Sequence, residues 1–328
     1  MPDPILEIDD LRIEFRSGGE IVHAANGVSF QINPGETAAI LGESGSGKSV
    51  TAAAVMRLLQ SPPAFITGGA VRFKGQDVLG MPIAKWRDYC GREIAMVFQD
   101  ALTSLNPVFS VGWQIAELFR AHGVAFGRDA NARAVDLLNR VGIPDPALRA
   151  KDYAHQFSGG MRQRVMIAMA IALGPDLLIA DEPTTALDVT VQAQIMELLE
   201  ELRAESNMAM ILITHDLGVV ADVADNVAVM YAGRVVERGP VSEVLARPGH
   251  AYTLALLDSV PRANSLGQHL KPIIGSPPDL ARIPKGCAFH PRCRFATDLC
   301  RNEEPPSVAV TPRRIAECHH VEAVFNDS

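Results

Sequence analysis

Residues 42–49 have the sequence Gly42-Glu43-Ser44-Gly45-Ser46-Gly47-Lys48-Ser49, which fits the pattern G-x-x-x-x-G-K-[ST]. The apolar segment Thr37–Leu41 before it predicts a buried strand, and the Ala-rich residues 50–59 after it predict a helix. Glycines let such a turn curl so that its backbone N–H groups point inward at phosphates. Lys48 is expected to reach the β- and γ-phosphates and Ser49 to ligate Mg²⁺. The stretch therefore predicts an α/β fold with a nucleotide as its ligand.

The composition is that of an ordinary globular protein, and it restricts the classes of function. The chain has 328 residues, of which 48% are hydrophobic and 21% charged, and its formal net charge is −8. A negative charge disfavours nucleic acid as the main partner. The longest apolar run, residues 165–173, is too short for a membrane span, which takes about 20 residues. The N-terminus does not resemble a signal peptide, so we expect a cytosolic protein.

Two adjacent carboxylates follow a second apolar strand. Leu177–Asp181 has the sequence Leu-Leu-Ile-Ala-Asp and is followed by Glu182. In a parallel sheet, ligands lie beyond the carboxyl ends of the strands, so both acids are expected to face the phosphates. We expect Asp181 to hold Mg²⁺ through water and Glu182 to polarise the attacking water as a general base.

A third motif precedes the helical stretch at residues 165–173. Its sequence is Phe157-Ser158-Gly159-Gly160-Met161-Arg162-Gln163-Arg164. The exposed N–H groups at the start of a helix form an anion site. By itself, Ser-Gly-Gly before a helix is an ordinary cap. In the same chain as the loop and the acidic pair, it predicts a second contact with phosphate.

Together these motifs resemble those of the ATP-binding subunits of ABC transporters. The family signature is usually Leu-Ser-Gly-Gly-Gln, from which Phe157 and Met161 depart. Ser158, Gly159 and Gly160, which contact nucleotide in the family, are intact. The resemblance implies a P-loop ABC-type α/β fold with a RecA-like parallel-sheet core, an antiparallel β subdomain and an inserted helical subdomain. It also implies ATP hydrolysis with Mg²⁺.

The same resemblance assigns four further residues. Phe15, at the end of the alternating residues 5–15, lies where the family places an aromatic ring against adenine. Gln99, after the apolar residues 94–98, matches the loop that senses Mg²⁺ and meets the membrane subunit. Asp188, in Ala186-Leu187-Asp188, matches the D-loop at the dimer interface. His215, after Ala209–Thr214, matches the histidine that contacts the γ-phosphate. A lone histidine at a strand end is more often structural, but this set of motifs favours the catalytic role.

The family also implies how the protein assembles. In an isolated chain the signature helix lies far from the chain's own phosphate loop, and two chains packed head-to-tail complete each other's sites around two ATP molecules. The expected partners are a second ABC ATPase subunit in a heterodimer, two transmembrane permease subunits and, indirectly, a solute-binding protein. Opening and closing of the ATPase pair can drive the permeases through alternating access.

The chain is expected to divide at about residue 260. Residues 1–260 would form the ATPase domain, with the helical subdomain at about 100–157 and the core resuming through about residue 247. Nine of the chain's 22 prolines lie between Pro261 and Pro312, so regular elements there must be short. We predict that residues 261–328 are a small Pro-rich extension that does not continue the sheet.

Four of the five cysteines lie in this extension: Cys287, Cys293, Cys300 and Cys318. Cys90 lies apart from them and is interpreted as buried filler. In a reducing compartment, clustered cysteines favour metal ligation over disulfides. The spacing C-x5-C-x6-C-x17-C lacks the tight pairs usual in zinc sites and suits a cluster held by four thiolates, but it leaves both possibilities open.

The residues around these cysteines closely resemble the C-terminal extension of the ATPase subunits of bacterial oligopeptide/dipeptide importers. The matching stretches are Pro277-Pro278-Asp279-Leu280, Pro284-Lys285 and Gly286-Cys287 through Cys318, together with Asp-Glu-Pro-Thr-Thr-Ala-Leu-Asp-Val-Thr-Val-Gln from Asp181. The resemblance implies a [4Fe–4S] cluster on the four cysteines. It also implies peptide import, with this chain at the cytoplasmic face of the inner membrane.

Two alternative functions remain open on the sequence. Importers of the same architecture carry nickel, opines or glycosides, and no motif of this chain contacts the solute. A soluble ABC ATPase that serves iron–sulfur assembly or a metabolic complex would share Gln99 and the helical subdomain. The four-cysteine extension and the peptide-type motifs favour transport.

Overall fold

The structure is a computed structural model that describes residues 3–185, 187–259 and 272–327, but not the side chain of Leu102. The strands in these ranges are β1 (Leu6–Ser17), β2 (Glu20–Ile32), β3 (Thr37–Leu41), β4 (Ala64–Phe73), β5 (Gln76–Asp77), β6 (Ile94–Val97), β7 (Leu177–Asp181), β8 (Ala209–Thr214), β9 (Asn226–Tyr231), β10 (Arg234–Pro240), β11 (Ser307–Thr311) and β12 (Arg314–Glu317).

The α-helices of the same ranges are α1 (Lys48–Val55), α2 (Ile83–Tyr89), α3 (Ala101–Ser104), α4 (Val111–Ala121), α5 (Gly127–Arg140), α6 (Pro146–Arg149), α7 (Gly159–Ile171), α8 (Val189–Ser206), α9 (Leu217–Val223), α10 (Val241–Ala246), α11 (Ala251–Asp258), α12 (Asp298–Asn302) and α13 (Val321–Asp327). Within the described ranges, no helix is both long enough and apolar enough to span a membrane.

The larger sheet contains the predicted parallel core. Its strand order is β11-β12-β10-β9-β3-β8-β7-β6, and the strands from β9 to β6 run parallel. Every residue of β3, β7 and β8 is buried. Strands of a parallel sheet are covered on both faces, which explains why these segments are continuous apolar runs and not alternating ones. The carboxyl ends of β3, β6, β7 and β8 consequently share one edge.

The smaller sheet is the predicted antiparallel β subdomain, with strand order β2-β1-β4-β5. β1 buries Leu6, Ile8, Leu11 and Ile13. The step from Ile8 to Leu11 is three residues because a bulge interrupts the pairing there, where Asp10 has φ of 46°. A bulge inserts one unpaired residue and restores the alternation beyond it, so the same face stays buried along the strand.

Helices α3 to α6 lie between Gln99 and the signature, inside the range expected for the helical subdomain. The side chain of Ser110 caps α4 by accepting a hydrogen bond from the backbone N–H of Trp113. Buried residues of α4 and α5, among them Ile115, Phe119 and Leu138, share one core cluster with α7 and with β6 to β8. This subdomain therefore packs against the signature helix.

The prediction that the C-terminal extension does not continue the sheet is wrong. β12 pairs antiparallel with β10, where Glu237 opposes Ala316, and β11 pairs with β12. The expectation of short elements is confirmed, because α12, β11, β12 and α13 have four to seven residues each. Phe289 and Val324 are nevertheless buried in one core cluster with residues of β9 and α11. The expected division at residue 260 lies outside the described residues.

Candidate functional site

Four parallel strands end at one edge of the core, and predicted site residues follow each of them. β3 leads into the loop at residues 42–47, β7 into Glu182 and β8 into His215. Gln99 comes two residues after the end of β6. The topology of the sheet therefore brings together residues that are far apart in the sequence.

Two glycines of the loop at residues 42–47 are required by close contacts with the backbone. A Cβ atom on Gly42 would lie 2.3 Å from the carbonyl oxygen of Met230, and one on Gly47 would lie 2.2 Å from that of Ala24. Gly47 also has φ of 102°, which L side chains seldom adopt. The loop can thus follow its tight path only with glycine at both positions.

The side chain of Lys48 is buried at the start of α1, with 4% of it exposed. Its Nζ donates hydrogen bonds to the carbonyl oxygens of Gly42 at 2.7 Å and Glu43 at 3.0 Å. Burial lowers the pKa of Lys48, while the nearby carboxylates of Glu182, Asp181 and Glu43 oppose that shift. The ammonium group is therefore held inside the loop among acidic residues, and the charge of a phosphate would favour its protonated form further.

Glu182 lies at the centre of the site. Its Oε2 accepts hydrogen bonds from Gln99 Nε2 and Thr185 Oγ1, each at 2.9 Å. Its Oε1 lies 3.6 Å from His215 Nδ1 and 4.0 Å from Lys48 Nζ. Its φ of 44° is in the left-handed region, which residues other than glycine adopt at a cost and mostly at functional positions. The carboxylate is thus oriented by four polar side chains, three of which the sequence singled out.

Ser49 and Asp181 form the part of the site that fits Mg²⁺. Ser49 Oγ donates a hydrogen bond to Asp181 Oδ1 at 2.9 Å. Burial raises the pKa of Asp181. A divalent cation at this position would counteract that effect by stabilising the ionised carboxylate. The third predicted ligand, Gln99, donates its amide to Glu182.

A cavity of about 1030 Å³ surrounds the phosphate loop. Residues assigned from the sequence that line it are Phe15, Gly42, Glu43, Ser44, Gly45, Gly47, Lys48, Ser49, Gln99, Glu182 and His215. Phe15 and Val22 supply an apolar wall from the smaller sheet. In the described part of the chain, the signature residues do not belong to this lining.

The signature residues cap and pack α7. Ser158 accepts a hydrogen bond from the backbone N–H three residues further on, at 3.3 Å. A Cβ atom on Gly160 would lie 2.7 Å from Cγ1 of Val191, so glycine allows α7 and α8 to approach closely. Asp188 caps α8 by accepting from the N–H of Val191 at 3.0 Å. Ala186, the first residue of the predicted D-loop, lies outside the described residues.

The four C-terminal cysteines gather in one place. The N–H of Cys287 donates to the carbonyl oxygen of Cys300 at 2.8 Å. Burial raises the pKa of Cys287 and of Cys293 to about 11 each, and the nearby Cys300 and Cys318 add to both shifts. Cys287, Cys293 and Cys318 also pack against one core cluster. Cys90 is half-buried against the core beneath the smaller sheet.

The described residues contain no preformed site for a single metal ion. Within residues 3–185, 187–259 and 272–327, no group of three or more His, Cys, Asp or Glu side chains could hold a metal ion as placed. The cysteine neighbourhood therefore has the composition of a metal site without the geometry of one. Neither the zinc interpretation nor the cluster gains support from this geometry.

The sequence did not reveal that the C-terminal segment contacts the phosphate loop. The guanidinium of Arg292 pairs with the carboxylate of Glu43, with Nη1–Oε2 at 2.6 Å and Nη2–Oε1 at 3.0 Å. The hydroxyl of Tyr252 accepts a hydrogen bond from the N–H of Glu43 at 2.9 Å. Glu43 is at one of the x positions of the G-x-x-x-x-G-K-[ST] pattern, where any residue type is allowed. The residues around Arg292 show no helix or strand periodicity. A sequence signal for this pair was consequently lacking.

Comparisons with known proteins agree with this site. Residues 25–185 match the family described as ABC transporter. A putative peptide import ATP-binding protein of Brucella melitensis biotype 1 is 49% identical over 326 residues, covering 96% of this chain and 96% of the relative. The chain belongs to the ATP-binding proteins of the ABC transporter family. As an ABC ATPase it hydrolyses ATP, and ATP and Mg²⁺ are its ligands.

Other relatives of this ABC ATPase cover its C-terminal region as well. Residues 236–300 match the family described as oligopeptide/dipeptide transporter, C-terminal region. The oligopeptide transport ATP-binding protein OppD of Bacillus subtilis is 49% identical over 320 residues, covering 97% of this chain and 88% of the relative. The prediction of an oligopeptide/dipeptide-type ATP-binding subunit is confirmed.

Solved structures resemble the core of this ABC ATPase. The dimeric ATP-binding cassette MJ0796, in a post-hydrolysis state bound to ADP and Pi, is 26% identical, with a TM-score of 0.65 over 72% of this chain and 98% of the cassette. The structure of cbiO1 from Clostridium perfringens is 32% identical, with a TM-score of 0.61 over 74% of this chain and 91% of the other. The predicted fold class is confirmed.

Proposed function

We propose that this chain is the ATP-hydrolysing subunit that energises import of oligopeptides or dipeptides across the bacterial inner membrane. The observation that carries the proposal is the 49% identity with proteins named for peptide import, which extends over nearly the whole chain. The match of residues 236–300 to the oligopeptide/dipeptide transporter C-terminal region supports the same branch. Transport places the chain at the cytoplasmic face of that membrane, bound to permease subunits.

In the proposed reaction, Glu182 is the general base that polarises the attacking water. His215 and Gln99, both next to its carboxylate, orient it and contact the γ-phosphate region. Lys48 and the N–H groups of residues 42–47 bind the phosphates. Ser49 and Asp181 would hold Mg²⁺, which neutralises phosphate charge when bound. Phe15 stacks on the adenine ring.

Completion of the site by a second chain is part of the proposal. Ser158, Gly159 and Gly160 lie outside the cavity lining of their own chain, so their role on nucleotide needs a head-to-tail partner, which we propose is a second ABC ATPase. Asp188 and the rest of the D-loop would meet that partner. A solute-binding protein would deliver the peptide from outside the membrane.

Exposed apolar side chains on the helical subdomain support docking to permeases. Phe109 and Trp113 stack with ring centroids 4.1 Å apart and remain 39% and 42% exposed. Val108, beside them, is 70% exposed. Soluble surfaces seldom expose such neighbouring apolar groups unless a partner covers them.

Reconstitution tests the proposed function. The chain would be co-purified with its permeases and partner ATPase, and uptake of labelled peptides into proteoliposomes would be measured with the solute-binding protein outside. We expect ATP-dependent peptide uptake, and turnover higher than that of the isolated chain. Uptake of nickel, an opine or a glycoside in place of peptide would refute the proposed solute. Full turnover by the isolated monomer at every concentration would contradict the shared site.

We also propose that Cys287, Cys293, Cys300 and Cys318 ligate one [4Fe–4S] cluster. The support is the match of residues 236–300 to the oligopeptide/dipeptide transporter C-terminal region, together with a set of four cysteines, the ligand type that holds such clusters. When bound, the cluster would cross-link the extension. The extension is not held by a cross-link alone, since Phe289 and Val324 are also buried.

Anaerobic purification tests the cluster. We expect brown protein with broad absorption near 400 nm and about four irons per chain. Replacement of any one of the four cysteines by serine should bleach the colour, whereas Cys90→Ser, the matched control, should keep it. One zinc and no iron in protein never exposed to air would overturn the cluster and favour zinc.

A further inference from the structure

We propose that the C-terminal segment forms part of the nucleotide site, where Arg292 positions the phosphate loop through Glu43 and Leu280 closes the nucleoside side of the cavity. The inference rests on the proposed assignment of this cavity to ATP. It makes residues of the extension determinants of ATP affinity, in addition to any contact that the extension makes with other subunits.

The contact between Arg292 and Glu43 is a bidentate, partly buried ion pair. Both oxygens of the carboxylate accept from the guanidinium, and the side chains are 5% and 25% exposed. Such forked pairs fix orientation as well as distance. Arg292 Nε also donates to the carbonyl oxygen of Ile274 at 3.0 Å. The guanidinium therefore connects the phosphate loop to Ile274 in the C-terminal extension.

The backbone of Glu43 is held from the same side. Its N–H donates to the hydroxyl of Tyr252, whose side chain is fully buried in α11. Its carbonyl oxygen accepts from Lys48 Nζ at 3.0 Å. The side chain, the N–H and the carbonyl of one loop residue are thus all occupied, and two of these three contacts come from residues after 250. A loop fixed in this way keeps its remaining N–H groups oriented for phosphate before binding.

The second contribution of the segment is an apolar wall. Leu256, Ile273, Pro277 and Leu280 line the cavity together with Phe15 and Val22 of the smaller sheet. The carbonyl oxygen of Leu280 accepts a hydrogen bond from the N–H of His23 on β2 at 3.1 Å. This hydrogen bond holds the apolar wall against the smaller sheet. Apolar side chains with a few polar groups are the usual lining of sites for small molecules and cofactors. We therefore assign the nucleoside of ATP to the space between the two walls.

The two contributions predict different losses of affinity. Arg292 acts on the phosphate loop, so its removal should weaken the binding of any polyphosphate. Leu280 belongs to the apolar wall and not to the phosphate loop, so its truncation should weaken ATP but not inorganic tripolyphosphate. Because both residues act on binding, KM for ATP should rise more than kcat falls.

The experiment measures ATP affinity by titration of a fluorescent, non-hydrolysable ATP analogue, with tripolyphosphate as competitor, on the full chain. Arg292→Met should weaken both ligands by roughly tenfold, because it removes a charge-assisted contact. Glu43→Gln should weaken both to a similar extent, and the double variant should lose no more than either single one. Leu280→Ala should weaken the ATP analogue alone.

Arg294→Met is the matched control for Arg292→Met. Arg294 lies two residues away in the same segment and pairs instead with Asp258 and Asp327, so its loss should leave affinity unchanged. Circular dichroism and the melting temperature establish folding, and Glu43→Gln tests the pair from the loop side should Arg292→Met unfold.

Two results would overturn the inference. One is unchanged affinity for the ATP analogue in folded Arg292→Met and Glu43→Gln. The other is a loss of affinity in Arg294→Met as large as that in Arg292→Met. Lys48→Ala separates the inference from the site itself. If that variant kept wild-type affinity, the cavity would not be the ATP site, and the proposed site would fail first.

Discussion

Replacing Glu182 with glutamine is expected to lower ATP turnover by roughly 10²- to 10⁴-fold, the usual contribution of a general base. Glutamine keeps the size of the side chain, and its amide oxygen can still accept from Gln99 or Thr185, which now bond the carboxylate. It cannot accept a proton from the attacking water. ATP binding should persist because Lys48 and the loop are untouched, and in the proposed head-to-tail assembly the two ATPases should remain closed on bound ATP.

The measurement is steady-state ATP turnover by the assembled transporter, beside nucleotide affinity by titration. Glu201→Gln is the control, because it makes the same change of charge at an exposed residue of α8, away from the site. Turnover near the wild-type rate in Glu182→Gln would refute the assignment of the base. Loss of binding together with turnover would instead indicate that the carboxylate mainly supports Lys48.

Replacing Arg314 with alanine is expected to destabilise the protein by about 3–5 kcal/mol, the cost of leaving one member of a buried ion pair alone. Arg314 is 3% and Glu237 is 0% exposed, and Oε1 of Glu237 accepts from Arg314 Nη2 at 2.5 Å. The same carboxylate accepts from the N–H groups of Gly249 and His250. Without the guanidinium, its charge would stay buried and largely uncompensated.

Urea unfolding of the isolated chain measures this change as a shift of midpoint at constant slope. Arg313→Ala is the matched control, because Arg313 is the exposed neighbour of Arg314, and its loss should cost little. The double change Glu237→Gln with Arg314→Met should recover part of the stability, since no charge is then left buried. Equal stability of Arg314→Ala and wild type would show that water or a rearranged side chain replaces the guanidinium.

The sequence predicted the catalytic core well because local patterns and strand ends determine it. The position of Lys48 is largely determined by the glycine-rich turn that joins a buried strand to a helix. Apolar runs that end at Asp181 and before His215 align at one edge once the sheet is parallel. The convergence of Gln99, His215 and Lys48 on Glu182 follows from that alignment.

The extension was predicted less well because long-range contacts determine it. β11 has five residues, none of them buried, and β12 has four, of which Arg314 and Ala316 are buried, so neither segment is long enough to give a clear period in the sequence. Their place in the sheet depends on pairing with β10 and on the ion pair of Arg314 with Glu237. A proline-rich composition excludes long helices and strands, but it allows short strands at the edge of a sheet. The pairing of Arg292 with Glu43 likewise joins residues that no local pattern relates.

The pairing of β12 with β10 has a consequence during synthesis. Residues 241–313 separate the two strands, so a ribosome that adds 5–20 residues per second completes β12 roughly 4 to 15 s after β10. For that time the nascent chain presents the edge of β10 with unpaired backbone groups, and Glu237 lacks its ion-pair partner Arg314. Exposed strand edges recruit other chains. The newly made protein therefore passes through an interval in which chaperone binding or aggregation competes with closure of the sheet.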